Sequence, residues 1–291
     1  MGVESLKSVV DADWRNPQFA WPAPAKINLF LHITGRRTDG YHLLQTVFQF
    51  IDFCDYLYFS TNLSGEITRD SELAGVPADS DLVVRAARLL RQHCPGPEGV
   101  AIRVDKRLPM GGGIGGGSSD AATTLIALNK LWGCGLDVDQ LASLGLALGA
   151  DVPVFVRGHA AWAEGVGEQL TPVSPAEPWY VLIIPPVSIN TGEIFSDREL
   201  TRDKEILRIR DFPGALTENV CQPVVEQRYP EVARVIHWLA QHGKARMTGT
   251  GACVFAPFES ESEARAVAGQ VPQGWRVVVA KGMNTTHLYG V

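Results

Sequence analysis

The chain has no long hydrophobic run and no excess of positive charge. These two absences argue against two classes of partner, membranes and nucleic acids. None of its apolar stretches approaches the ~20 residues that a membrane-spanning helix needs, so we expect no membrane partner. Its 26 Lys and Arg residues are outnumbered by 32 Asp and Glu residues, which gives a net charge of −6. Because binding to nucleic acid depends on a basic surface, we expect no nucleic-acid partner.

Metal-ligand spacing is also missing. The five cysteines are scattered without a CxxC pair, and the seven histidines include no HxxxH pair. No metal held by protein ligands is therefore predicted. An odd, scattered set of cysteines is typical of a reducing compartment, so we expect a cytoplasmic protein.

The composition of the chain predicts where its domains begin and end. Residues 1–20 carry acidic side chains and no apolar stretch of the targeting-peptide kind, and we predict that they form a mobile N-terminal extension. A proline-flanked segment at 175–186 predicts a boundary between an N-terminal domain over residues 21–175 and a C-terminal domain over residues 176–291. Strand and helix patterns occur in both parts, which predicts an α+β fold with two layers.

Two short stretches predict strands. Residues 27–34, INLFLHIT, alternate apolar side chains as a half-buried strand does, and Asp39-Gly40 after them predicts a hairpin turn. The apolar run VFV at 154–156 also predicts a strand.

The most informative feature that the chain does have is a glycine-rich stretch. Glycines fill positions 111–113 and 115–117, between a predicted strand at 100–104 and a predicted helix at 118–132. Without Cβ atoms, such a loop lets its backbone approach a ligand closely, and the free N–H groups of the following helix attract anions. We expect Ser118 or Ser119 to cap that helix, with Asp120 in its first turn. The pattern predicts a phosphate-binding loop rather than a flexible linker.

Three better-known nucleotide-binding loops fit less well. A Walker loop needs Lys after its last glycine, whereas Gly117 is followed by Ser118. A dinucleotide-binding GxGxxG is formally present, but the second strand with its acidic residue about 20 positions on is missing. The HRD and DFG signatures of protein kinases are absent as well. The loop is therefore predicted to bind phosphates through its backbone, with a lysine and an acid supplied from elsewhere.

Four segments together resemble the galactokinase–homoserine kinase–mevalonate kinase–phosphomevalonate kinase (GHMP) superfamily. They are PAKINLFLHITGRRTDGYH (24–42), LPMGGGIGGGSSDAA (108–122), LGADVPVF (148–155) and RMTGTGACVF (246–255), in the family's order. The resemblance implies a two-domain GHMP-kinase fold, with an N-terminal nucleotide-binding domain and a C-terminal ferredoxin-like α/β sandwich. It also implies transfer of the γ-phosphoryl group of ATP to a cytidine-diphosphate-linked methylerythritol. We expect the protein to be a monomer or weak homodimer.

The resemblance assigns the chemistry to two residues. Asp151 matches the general base that accepts the proton of the attacking hydroxyl, and Lys26 matches the cation that orients and polarises the centre. Phosphoryl transfer requires positioning and charge stabilisation more than covalent chemistry, which suits such a pair. A purely structural ion pair is the alternative.

For ATP, the resemblance implies binding by the glycine loop, with Lys106 and Asp81 near the adenine and Mg²⁺ held together with the nucleotide. Relatives often carry Asn where this chain has Asp81, and a carboxylate can accept a hydrogen bond from the adenine amino group but cannot donate one. The expected nucleotide-binding residues are Pro109, Met110, Gly111, Gly112, Gly113, Ile114, Gly115, Gly116, Gly117, Ser118, Ser119, Lys106 and Asp81.

For the acceptor, family members hold cytosine with stacked aromatic rings and a histidine. The matching substrate-binding positions are Asn28, Tyr41, His42, Phe48, Thr191 and Phe195. Phe48 and Phe195 could instead be ordinary core aromatics. Two other functions stay open at this point: another small-alcohol kinase of the superfamily, and a non-catalytic nucleotide-binding protein, which would not need Asp151.

Overall fold

The computed structural model describes residues 16, 19–73, 75–96, 99–212 and 217–286. The predicted extension 1–20 therefore lies outside the described residues, apart from residues 16, 19 and 20. The strands are β1 (Trp21–Arg36), β2 (His42–Asn62), β3 (Ile67–Arg69), β4 (Gly99–Asp105), β5 (Ala161–Glu164), β6 (Gln169–Pro172), β7 (Trp179–Ile184), β8 (Arg246–Met247), β9 (Val254–Phe258) and β10 (Arg276–Met283). The helices are α1 (Leu82–Arg91), α2 (Gly116–Leu131), α3 (Val138–Leu146), α4 (Val152–Arg157), α5 (Thr191–Phe195), α6 (Gln222–Arg228), α7 (Pro230–Ala240) and α8 (Glu261–Ala268).

The N-terminal half is organised around the long strand β2. This strand pairs antiparallel with β1, β4, β5 and, at two positions, β10. Helices α1 and α2 cover the sheet, and their apolar side chains Leu90 and Leu125 join Leu57 of β2 and Ile102 of β4 in one buried cluster. Burial of these side chains supplies most of the stabilisation of this half.

Strand β1 is buried on both faces, not on one as its alternation predicts. The pairing register with β2 shifts between Asn28 and Leu31, and both Phe30 and His32 are buried. Phe30 packs beside Trp162 of β5, whereas Leu31 belongs to the cluster of the C-terminal half. Because β1 lies between the two halves, its polar face is covered by protein instead of water.

The C-terminal half has the ferredoxin-like order that the resemblance implies. Its strands run β10-β7-β9-β8, and in sequence they alternate with helices as β7, α5–α7, β8, β9, α8 and β10. Strand β10 continues past this sheet and pairs with β2 through Gly282 opposite Ile51 and Met283 opposite Phe50. Through this strand the strands of the two halves form one continuous β-sheet.

Two further local predictions were wrong. Residues 154–156 lie in α4, with Pro153 in its first turn, because a short apolar run does not by its pattern distinguish a strand from a buried helix. Cys94 and Cys134, expected as thiols, form a disulfide between the segments that follow α1 and α2, a proximity that their spacing of 40 residues hides. The hairpin turn at Asp39-Gly40 is confirmed, with Gly40 at a φ of +94°. Among the described helices, none is long and apolar enough to cross a bilayer.

Asp55 of β2 fixes the backbone that leads from β4 into the glycine loop. One carboxylate oxygen accepts hydrogen bonds from the backbone N–H groups of Arg107 (2.5 Å) and Leu108 (2.7 Å), and the other lies 2.5 Å from Lys106 Nζ. The carboxylate is completely buried. Unpaired buried groups are costly, so this cluster constrains where the loop begins.

We expect Asp55→Ala to lower the free energy of unfolding by about 3–5 kcal/mol, because it leaves the backbone N–H groups of Arg107 and Leu108 without their acceptor and leaves Lys106 with Asp120 as its one remaining carboxylate partner. Asp55→Asn should cost less, since its amide oxygen still accepts from the two N–H groups. Urea denaturation of both variants measures the difference. Equal losses would contradict the importance of the two backbone hydrogen bonds.

Candidate active site

A cavity of about 970 Å³ opens between the two halves and collects nearly all the predicted site residues. Its lining includes both predicted catalytic residues, all six predicted substrate-binding residues and twelve of the thirteen predicted nucleotide-binding residues. The exception is Ser119, which is fully buried behind the loop and does not line the cavity. The cavity is large enough for two substrates, since small-molecule sites commonly measure about 300–1,000 Å³.

The glycine loop ends differently from the prediction. Helix α2 begins at Gly116, and its N-cap is Gly115 in the left-handed conformation (φ +74°), so the expected cap at Ser118 or Ser119 was wrong. Asp120 consequently lies beyond the first turn. A left-handed cap requires glycine, and it extends the helix back into the loop. Its first N–H groups therefore face the cavity without a side-chain cap, as an anion site requires.

Backbone hydrogen bonds hold the loop from both halves of the molecule. On one side the N–H of Lys26 donates to the carbonyl oxygen of Ile114 at 3.0 Å. On the other, the N–H groups of Ala252 and Cys253 donate to the carbonyl oxygens of Gly111 (3.3 Å) and Gly112 (3.1 Å). The loop is therefore a fixed bridge between β1 and the segment before β9, and it presents a preformed surface to a ligand.

Lys26 and Asp151 both line the cavity and form an ion pair there. Lys26 Nζ lies 3.2 Å from Asp151 Oδ2, donates to Asn28 Oδ1 at 2.7 Å and stands 4.9 Å from the ring centre of Phe48. The Lys26 side chain is only 4% exposed, whereas that of Asp151 is 34% exposed. Asp151 precedes α4 but caps none of its N–H groups. Its carboxylate is thus held by one buried cation and remains open to the cavity.

A polar network links this pair to the C-terminal half. Asn28 donates from Nδ2 to Thr46 Oγ1 at 2.9 Å, and its backbone N–H donates to Thr248 Oγ1, also at 2.9 Å. The Thr248 hydroxyl lies 3.2 Å from the carbonyl oxygen of Gly113. Asn28 therefore acts mainly on Lys26 and the protein frame, while its predicted contact with substrate stays a prediction.

The predicted aromatic residues lie at two depths. His42 stacks on Phe195 with ring centres 5.2 Å apart and an interplanar angle of 20°, and Tyr41, at the cavity mouth, is 64% exposed. Phe48 is 2% exposed and belongs to the N-terminal core, where Lys26 covers its ring. Thr191, at the start of α5, shares a 2.9 Å hydrogen bond with Thr250. Phe48 is thus placed to support Lys26, and the others form the mouth.

The two residues expected near adenine already have strong partners. Asp81 accepts from the backbone N–H of Val83 at 3.0 Å and from Arg69 at 2.5 Å, so it caps α1 and forms a buried ion pair. Lys106 lies 2.5 Å from Asp55 and 2.6 Å from Asp120. Both residues line the cavity, yet they mainly organise its wall.

The sequence did not predict the charged partners of Lys106 and Asp81. Asp55 and Arg69 are ordinary charged residues within strands, and Asp120, expected only as a charge in the first turn of α2, pairs with Lys106 instead. The two carboxylates that surround Lys106 come together only in the folded chain, so the sequence does not reveal this cluster.

Comparison with known proteins identifies the family of this chain. Residues 81–159 match the model of the GHMP kinases N terminal domain, and residues 204–277 match that of the GHMP kinases C terminal domain. Two curated proteins named 4-diphosphocytidyl-2-C-methyl-D-erythritol kinase are similar over most of their length. The one from Nitrosococcus oceani is 57% identical over 91% of this chain and 94% of its own, and the one from Pseudomonas entomophila is 59% identical over 92% and 94%. A crystal structure of 4-(cytidine 5'-diphospho)-2C-methyl-D-erythritol kinase superposes with a TM-score of 0.79 at 32% identity, covering 90% of this chain and 98% of that one.

The chain therefore belongs to the GHMP kinase family, and within it to the group formed by the 4-diphosphocytidyl-2-C-methyl-D-erythritol kinases. This confirms the family resemblance and the two-domain α+β fold predicted from the sequence. Members of the GHMP family use ATP as the phosphate donor.

Gly115 tests the steric argument for the loop. A Cβ at this position would lie 2.8 Å from Phe155 and 3.2 Å from Lys26 Cε, in a backbone conformation that side chains rarely adopt. We expect Gly115→Ala to lower the free energy of unfolding by about 1–3 kcal/mol and to weaken ATP binding.

Gly117→Ala is the matched control, since its Cβ would meet only Leu82 Cδ1 at an ordinary 3.5 Å. Its melting temperature should equal or exceed that of the wild type, because alanine favours a helix. Equal melting temperatures for the two variants would contradict the steric argument.

Because the Asp120 carboxyl is buried, we expect the free energy of unfolding to depend on pH. Burial raises the pKa of this carboxyl to about 8, against the attraction of Lys106 and with repulsion from Asp55 adding to the rise. Among the residues that the structure describes, Oδ1 of Asp120 is buried and has no hydrogen-bond partner. Since the unfolded pKa is 3.8, the folded chain binds the extra proton between about pH 4 and pH 8. The free energy of unfolding should therefore fall as pH rises through this window, and this dependence should be reduced in Asp120→Asn. Parallel pH profiles for wild type and variant in chemical denaturation would contradict it.

Proposed function

We propose that this protein phosphorylates the 2-hydroxyl of 4-diphosphocytidyl-2-C-methyl-D-erythritol with ATP, giving the 2-phosphate and ADP in the non-mevalonate route to isoprenoid precursors. The observation that carries the proposal is one cavity in which a glycine loop, an open carboxylate held by a buried lysine, and a stacked histidine and phenylalanine all converge. The high identity to curated proteins of that name supports it.

Asp151 is the proposed catalytic base. Its exposed carboxylate accepts the proton of the 2-hydroxyl while the hydroxyl oxygen attacks the γ-phosphorus. The bond from the γ-phosphorus to the bridging oxygen breaks, and ADP leaves with that electron pair. Lys26, 3.2 Å from Asp151, orients the carboxylate and stabilises negative charge on the transferring group.

The glycine loop is the proposed site for the ATP phosphates. The uncapped N–H groups at the start of α2 and the positive end of its dipole offer hydrogen bonds and charge to them. Ser118 lines the cavity at this helix start, so its hydroxyl can contact a phosphate or its cation.

These residues also fit Mg²⁺ bound with the nucleotide. Within the described part of the chain, no group of three or more His, Cys, Asp or Glu forms a metal site. The cation would be held by phosphate oxygens and water, with Ser118 and Asp151 nearby, as suits an ion that keeps most of its waters. It would supply charge neutralisation of the phosphates.

The mouth of the cavity is the proposed cytidine site. Tyr41 and Phe195 offer ring faces to a pyrimidine, and His42 offers a hydrogen-bonding group beside them. Thr191 and Asn28 line the same cavity.

An ATP-coupled assay tests the proposed function directly. We expect ADP release that requires the cytidine-diphosphate alcohol and is not supported by mevalonate or homoserine. Turnover with either of those alcohols in place of the cytidine substrate would assign the protein to another reaction of the superfamily. Binding of ATP without turnover of any of them would indicate a nucleotide-binding protein.

Asp151→Asn tests the base. We expect kcat to fall about 10²–10⁴-fold while both substrates still bind, since the variant keeps the size of the side chain but loses the proton acceptor. Combining it with Lys26→Ala should cost less than the sum of the two effects, because residues that act as a unit are not additive.

The matched control is Asp139→Asn, which removes an exposed carboxylate paired with Arg157 outside the cavity. Its kcat should equal that of the wild type. A near-normal kcat in Asp151→Asn would leave Asp151 as part of a structural ion pair.

A further inference from the structure

Arg202, in the segment that follows α5, connects the aromatic mouth to the chain around it. Its Nη1 donates to the carbonyl oxygen of Leu200 at 3.0 Å, and its Nη2 donates to those of Phe195 (2.9 Å) and Asp197 (2.6 Å). Its Nε donates to His42 Nε2 at 3.0 Å. One guanidinium therefore fixes both members of the stacked His42–Phe195 pair.

The hydrogen bond to His42 also fixes where the imidazole carries its proton. An arginine side chain is always protonated and can only donate, so His42 Nε2 must be the accepting, unprotonated nitrogen. The neutral ring then carries its proton on Nδ1. Within the described part of the chain, Nδ1 has no protein hydrogen-bond partner, and His42 lines the cavity. A ligand at the mouth thus meets an N–H donor rather than an acceptor.

The same geometry disfavours a charged imidazole. Burial lowers the pKa of His42, and the positive charges of Arg202 and of Arg36, at the end of β1, lower it further. Because the lowered pKa favours the neutral form, the single Nδ1–H donor persists at mildly acidic pH, where an ordinary histidine begins to take up a second proton.

We propose that Arg202 is a positioning residue that holds His42 as an Nδ1–H donor against Phe195, and so makes the mouth select cytosine over uracil. The inference rests on the proposed function. Cytosine presents acceptors at ring N3 and O2, whereas uracil carries a proton on N3. A fixed donor matches the first base and meets a second donor in the other, and the loss of that hydrogen bond disfavours uracil.

The test is titration of the full-length protein with CDP and with UDP, at several pH values, together with steady-state kinetics. In Arg202→Met, which keeps the apolar stem but no donor, we expect the affinity for CDP to fall about tenfold, the loss of roughly one hydrogen bond to a base. The affinity for UDP should change less, so that the ratio of the two affinities falls. The KM for the cytidine substrate should rise, while the KM for ATP should not.

Two comparisons separate this role from simple support of the segment. Arg202→Gln retains an N–H that can reach His42 Nε2, and it should restore part of the CDP preference. Arg198→Met, an exposed arginine of the same segment, should leave both affinities unchanged. The pKa that governs CDP binding should rise in Arg202→Met, since one positive charge near His42 is gone.

The outcomes are distinct. If Arg202→Met weakens CDP and UDP equally, with no shift of the pH profile, Arg202 only supports the fold and the inference is wrong. If Arg202→Met does not fold, Arg202→Gln and Arg202→Lys carry the same comparison. If wild-type protein neither prefers CDP nor turns over the cytidine substrate, the proposed function itself fails, irrespective of Arg202.

Discussion

The buried ammonium of Lys26 is the constraint around which the site is arranged. It is 4% exposed, and its Nζ contacts the Asp151 carboxylate, the Asn28 amide oxygen and the carbonyl oxygen of Gly113. A charge withdrawn from water requires such partners, so the position of Lys26 determines where the carboxylate, β1 and the glycine loop can lie. The stability of this arrangement and the proposed chemistry depend on the same contacts.

The cavity depends on both halves of the chain, which contribute different parts. The N-terminal half supplies the glycine loop, Lys26 and Asp151, and the C-terminal half supplies Phe195 and the segment that hydrogen-bonds to the loop at Gly111 and Gly112. Strand β10, paired with both β7 and β2, ties the halves together. A rigid scaffold with preformed hydrogen-bond donors suits phosphoryl transfer, which relies on positioning and electrostatics.

Motifs predicted the centre of this site better than its walls. The glycine loop is a contiguous pattern with a physical reason, whereas Lys26 and Asp151 were assigned through the family resemblance of the segments that contain them; all of them line one cavity. The cap of α2 was misplaced because Gly115 adopts a left-handed conformation that only a glycine-rich loop permits. The ion pairs of Lys106 and Asp81 were missed because their partners lie on other elements, Asp55 on β2, Asp120 on α2 and Arg69 on β3, and pairing of charges between elements leaves no local pattern.

The central claim is that the phosphates, the accepting hydroxyl and the Asp151 carboxylate meet in this one cavity. A crystal structure with a non-hydrolysable ATP analogue and 4-diphosphocytidyl-2-C-methyl-D-erythritol tests it most directly. We expect the phosphates over residues 111–118, the cytosine at His42 and Phe195, and the 2-hydroxyl about 2.6–3.2 Å from Asp151, in line with the γ-phosphorus. A 2-hydroxyl turned away from Asp151, with the carboxylate contacting Lys26 alone, would contradict the claim.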